Sequence, residues 1–159
     1  MKYNSVSTYF SKIQNRQLIP AFLPVLAFFA VYFLILVGEV TPIFIDESAL
    51  LIAAVLALVA LTDALVALVI FQLGIKRIRT KVSLGERLDA YANWCLVRYG
   101  LVYSGSWMLV VALYLTGLEW LSVAFGLHLL FYFLIWPGRE RLANDLNLNN
   151  AEREVIFAK

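Results

Sequence analysis

The stretch LLIAAVLALVALTDALVALVIFQL, residues 50–73, most restricts what this chain can fold into. An α-helix rises about 1.5 Å per residue, so about 20 apolar residues cross the roughly 30 Å of hydrocarbon in a bilayer. Hydrocarbon offers backbone N–H and C=O groups no partner, so a run of this kind must be helical. It carries one ionisable group, Asp63, near its middle. Three further apolar blocks follow the same rule. The sequence predicts spans at about residues 18–37, 48–73, 99–116 and 118–136, with about 1.5 Å of rise for each residue. The fold class expected is an all-α integral membrane protein. Its four transmembrane helices would form an up-down bundle within one membrane domain, residues 1–159. Of the 159 residues 62% are hydrophobic, and they fall in blocks instead of short periodic stripes, which argues against a soluble globular domain.

Local signals set the expected element ends. Tyr3, Val6, Phe10 and Ile13 recur at helical spacing, suggesting a short surface helix before the first span, with a disordered lead-in as the alternative. Pro20 and Pro24 fall in the first turns expected for span one, and Gly38 with Glu39 ends it. The first block is too long for a cleavable signal peptide and is read as a span. Asp46 or Ser48 is placed to cap span two, and Gly74 to stop it. Ser83 with Glu86 fits a capping box, after which Leu84, Leu88, Tyr91 and Cys95 line one face of a helix leading into span three. Gly117 follows that span, and about three residues join it to span four, a tight antiparallel hairpin. Pro137-Gly138 ends span four, with Trp120 and Trp136 at its two ends. Asn149 with Glu152 marks a short terminal helix.

Charge gives the orientation. All 13 Lys and Arg residues fall before span one, between spans two and three, or after span four. The two other loops carry Glu39, Asp46, Glu47 and Glu119. The positive-inside rule then places both termini and residues 75–98 in the cytoplasm, with residues 1–17 and 137–159 there as well. Lys76, Arg77, Arg79 and Lys81 lie just outside the expected membrane core. Their ordinary role is to set topology, and they are also possible contacts for anionic lipid headgroups.

The candidate site residues are few. Ala53, Ala57, Ala60, Ala64 and Ala67 form a small-residue seam that lets another helix approach closely, and Asp63 lies beside it. A carboxylate at mid-bilayer costs about 2.5–3.5 kcal/mol on insertion scales, so it is expected to face protein. The only histidine, His128, falls near the middle of span four, at a matching depth. Asp63 and His128 form a candidate intramembrane polar pair, and Ser104 or Ser106 can complete its hydrogen bonding. These two serines point to opposite faces of span three, so at most one is expected to join. Arg98 is expected to snorkel to the cytoplasmic interface.

Several chemistries are disfavoured. One cysteine, Cys95, allows no internal disulfide, and with a single histidine no metal site or cofactor is expected. No P-loop, dinucleotide fingerprint, zincin helix or nucleophile elbow is present, which points away from an enzyme. Nucleic-acid modules are absent too. The expected partners are the lipid bilayer and other transmembrane helices, in a homo- or hetero-oligomer. The leading expectation is a non-enzymatic accessory or assembly subunit of a membrane complex, or a small homo-oligomer. The alternative is a small proton- or cation-coupled transporter or channel using Asp63 with His128.

The segment GERLDAYANWCLVRYGLVYSGS, then a hairpin, then IWPGRERLANDLNLNNAE, resembles a group of uncharacterised small four-span proteins of Bacteroidota-type bacteria, over roughly residues 84–153. Arg98, Pro137, Arg141, Asp145 and Leu146 fit that pattern. Where those proteins often have a Glu-Gly pair early in the third span, this chain has Tyr103-Ser104-Gly105. The resemblance implies a bacterial inner membrane setting and four spans, and no activity.

Overall fold

The computed structural model describes residues 6–81 and 83–157, with side chains from residue 21 onward. Among these are six helices: α1 (Val6–Leu36), α2 (Glu47–Ile78), α3 (Leu84–Thr116), α4 (Trp120–Leu134), α5 (Arg139–Asp145) and α6 (Asn150–Phe157). The protein is all-α. By length and composition two helices, α2 and α3, can cross a membrane, and a third crossing is available if α4 and α5 form one broken span. The described apolar part of α1, Ala21–Leu36, is shorter.

Helix α1 differs from the sequence expectation. The lead-in and the first apolar block are one continuous helix from Val6, so Pro20 and Pro24 sit in its interior. Each proline there removes one backbone hydrogen bond. Tyr3 lies outside the described residues, as do the side chains of Val6, Phe10 and Ile13.

Helix α3 is the hub of the bundle, and its largest interface is with α2. On α2, Ala60, Ala64, Ala67, Phe71, Gly74 and Ile78 are buried at alternating steps of four and three. That is the spacing of a coiled-coil seam. The alanine seam therefore serves α3 of the same chain. Ala57 is the exception and is only partly buried. The bulky exposed side of α2, with Leu51, Val55, Leu58 and Leu65, faces outward. Half of the most apolar stretch of α3 is buried, against 22% for α2.

Gly74 does not stop α2, which runs on to Ile78. Its role is steric. An added Cβ would lie 2.4 Å from Cδ2 of Trp94 on α3, so the missing side chain lets the indole ring rest on the α2 backbone. At the acidic end of the bundle, the loop between α1 and α2 closes over the α3–α4 turn. The N–H groups of Ile43 and Phe44 both donate to the Leu115 carbonyl at 2.9 Å, satisfying one of the carbonyls a helix end leaves open. Gly117 takes the left-handed conformation that ends α3, with Pro42 packed against it. Asp46 caps α2 by accepting from the Ser48 N–H.

The basic end carries its own apolar core, built from the last turns of α2, the first turns of α3, and α5 and α6. Ser83 accepts from the Glu86 N–H, and Asn149 and Glu152 cap α6 reciprocally. Arg87 of α3 pairs with Glu152, and the Tyr91 hydroxyl donates to Asp145 at 3.0 Å. Cys95 is fully buried in this core.

Two tests follow from this packing. Gly74→Leu should destabilise the fold by about 1–3 kcal/mol through overpacking, and Trp94→Leu in the same chain should recover part of the loss in a thermal melt. Cys95 should resist maleimide at pH 8 until the protein unfolds.

Candidate functional site

The polar residues singled out in the sequence meet α3 within two turns, at residues 101–106. From α2, Asp63 reaches Ser104: the hydroxyl lies 2.8 Å from Asp63 Oδ2 and 2.8 Å from the Leu101 carbonyl, and shares its one proton between them. From α4, His128 Nε2 donates to the Val102 carbonyl at 2.9 Å. Ser106 Oγ donates to the same carbonyl at 3.1 Å, and the Tyr132 hydroxyl, 3.1 Å from Ser106, completes the chain as donor. A carbonyl oxygen has two lone pairs and only accepts, so Nε2 of His128 carries a hydrogen, and in the neutral ring that is the Nε2–H tautomer.

Asp63 and His128 therefore lie at the same level along α3 but make no hydrogen bond or ion pair with each other. Each has its own partner on α3, and the two serines divide as their opposite faces require, Ser104 to α2 and Ser106 to α4. Asp63 stays partly exposed, whereas His128 is 5% exposed. Gly105 is what brings the three helices together here. A Cβ on it would stand 2.9 Å from His128 Cε1 and 3.0 Å from the Ala60 carbonyl oxygen. Neither Gly105 nor Tyr132 is among the site residues expected from the sequence. Their signals were the small-residue run Ser104-Gly105-Ser106 and the four-residue step from His128 to Tyr132, which puts both rings on one face of α4.

An apolar groove of about 410 Å³ lies between α2 and α4, with α3 as its floor. Ala54, Ala57, Leu58 and Leu61 form one wall, and Trp120, Ala124, Leu127, His128 and Phe131 the other. Trp107 is not part of it. That ring is partly buried and meets Tyr103 edge to face.

At the basic end, Arg98 does not snorkel. It is 1% exposed, donates to the Ile135 carbonyl at 2.6 Å and lies 3.7 Å from the centre of the Phe71 ring. Helix α4 stops at Leu134, two residues short of Trp136, and turns 73° into α5. Its open carbonyls are what the buried guanidinium answers. Arg141 donates to the one before it, that of Leu134. Of the four basic residues considered for anionic headgroups, Lys76, Arg77 and Lys81 are exposed, and Arg79 donates to the Asp145 carbonyl at 2.7 Å.

No family model, curated protein or solved structure matches the chain.

The separate partnering of the two residues has a measurable signature. In a double-mutant cycle, Asp63→Ala with Ser104→Ala should show a coupling of about 0.6 kcal/mol, as hydrogen bonds between membrane helices average. Asp63→Ala with His128→Ala should show a coupling near zero. Reversible unfolding in mixed micelles measures both.

Proposed function

We propose that this protein is a four-span integral membrane protein with both termini cytoplasmic, working without chemistry of its own as an accessory or assembly subunit of a bacterial inner-membrane complex. The observation that carries this reading is the partnering of its mid-level polar groups. Asp63 and His128 are each tied to α3, and those bonds hold α2 and α4 in place. Groups used in this way fix helix positions, which is what a scaffold needs. A transport pathway would instead need polar groups converging on a shared wet cavity, and the groove beside His128 is apolar.

Other features agree. Large apolar side chains of α1, α2 and α4, such as Phe22, Leu51 and Phe133, point outward, where lipid or partner helices would cover them. Fifteen residues of α4 rise about 22 Å, so the chain from Leu118 through the bend at Pro137 would complete the fourth crossing. The positive-inside distribution gives the orientation, and Lys76, Arg77 and Lys81 would then meet anionic headgroups at the cytoplasmic surface.

Purification in mild detergent followed by mass spectrometry tests the reading. A larger complex with fixed stoichiometry is expected, and Asp63→Asn should leave its yield within about twofold, since the amide oxygen still accepts from Ser104. A lone small oligomer that carries pH-dependent proton or cation flux in liposomes, abolished by Asp63→Asn, would replace this reading with the transporter.

A further inference from the structure

The groove between α2 and α4 has one hydrogen-bond-accepting side chain in a largely apolar wall. His128 lines it and keeps 5% of its surface exposed. Its Nε2–H is committed to the Val102 carbonyl, and its Cε1 edge is pressed over Gly105. The ring is thus held in one tautomer and one orientation. In that tautomer Nδ1 has a lone pair and no hydrogen, so it can only accept. Nδ1 makes no hydrogen bond among the described residues. It is also absent from the sealed, unpartnered side-chain atoms, which are Arg87 Nε, Arg98 Nε and Nη1, Tyr99 Oη and Ser122 Oγ, so it is not fully sealed in the ring's packing.

We propose that this groove binds a membrane-soluble molecule with an apolar body and a phenolic hydroxyl, of the hydroquinone type, whose O–H donates to His128 Nδ1. The size suits it, since small-molecule sites are usually about 300–1,000 Å³, apolar, and provided with a few fixed polar groups. The position suits it as well. A donor at this level must arrive from within the apolar layer, so a headgroup anchored at the surface is excluded and a hydroxyl on an apolar carrier is selected. A phenol is a stronger donor than an aliphatic alcohol, and Phe131 and Trp120 offer ring faces in the same groove. An acyl chain fills the space but leaves Nδ1 unpaired, whereas a phenol does both. The inference rests on the membrane-spanning part of that reading and is independent of the subunit role, because a subunit can hold such a molecule or lack it.

The test is equilibrium binding of 2-decylhydroquinone to the full chain in nanodiscs, beside its dimethyl ether and dodecanol. The ether keeps the shape and loses the donor, so the phenol should bind roughly fivefold more tightly, the worth of one net hydrogen bond. Ala57→Leu fills the groove without touching any bond of His128, and should abolish saturable binding while the protein still elutes as a folded species. His128→Phe, where it folds, should bring phenol and ether to equal affinity. Equal binding of phenol and ether to the unaltered protein overturns the proposal. So does dodecanol binding as tightly as the phenol, binding unchanged in Ala57→Leu, or a transmembrane partner found seated in the groove.

Discussion

Close approach at Gly105 is the constraint on which the middle of this structure depends. In lipid, helices gain nothing by hiding apolar surface from water, so their association rests on packing and on hydrogen bonds between them. Both need short distances. Without a side chain at Gly105, the α2 backbone at Ala60 and the His128 ring of α4 come against the same point of α3. Only then does Asp63 reach Ser104, and His128 reach a backbone carbonyl. The order of cause runs from small residues to polar contacts. An alanine at this position would push back the ring or the α2 backbone by some tenths of an ångström, enough to lengthen and weaken hydrogen bonds of 2.8–2.9 Å.

The basic end solves a different problem. A helix end leaves carbonyls that need partners wherever water cannot reach them, and the end of α4 at Leu134 leaves such groups. Arg98 and Arg141 answer them from two directions, on α3 and α5. Their positive charge also suits the partial negative charge at a helix C-terminus. The buried Arg98 guanidinium meets a carbonyl on one side and the Phe71 ring face on another, while its Nε and Nη1 have no hydrogen-bond partner among the described residues. The bend then directs α5 onto the core that the ends of α2 and α3 extend to form.

What was legible in the sequence follows from how local the cause is. The caps at Asp46, Ser83 and Asn149 could be read because each side chain bonds an N–H two or three residues away. The uninterrupted run of the lead-in helix into α3 could be read from Leu88, Tyr91 and Cys95, whose register continues through Val102 and Leu109. Gly74 misled because its reason is Trp94, far away in the chain. The shared level of Asp63 and His128 was visible in their distances from the helix ends. Their separation was not, because it depends on a third helix whose rotation about its axis no pattern within α2 or α4 records. Arg98 was misjudged likewise, since its partner exists only because α4 ends early.

The alanines of α2 show why a groove remains beside so tight a contact. Toward α3, they meet a helix that offers a glycine, and the gap closes. Toward α4, Ala54 and Ala57 face a wall whose nearest small residue is Ala124, and neither side supplies the bulk to fill the space. A void inside a protein forfeits the dispersion contacts of its lining. A groove open to an apolar layer need not, because mobile molecules can enter it. Any chain of methylenes recovers the dispersion energy. What it cannot recover is the hydration that Nδ1 of His128 gave up, and an unpaired acceptor in a low-dielectric setting is costly. Among the molecules dissolved in that layer, one with a hydroxyl to donate therefore has the advantage over one without, and the tautomer imposed by the Val102 carbonyl gives it that sign.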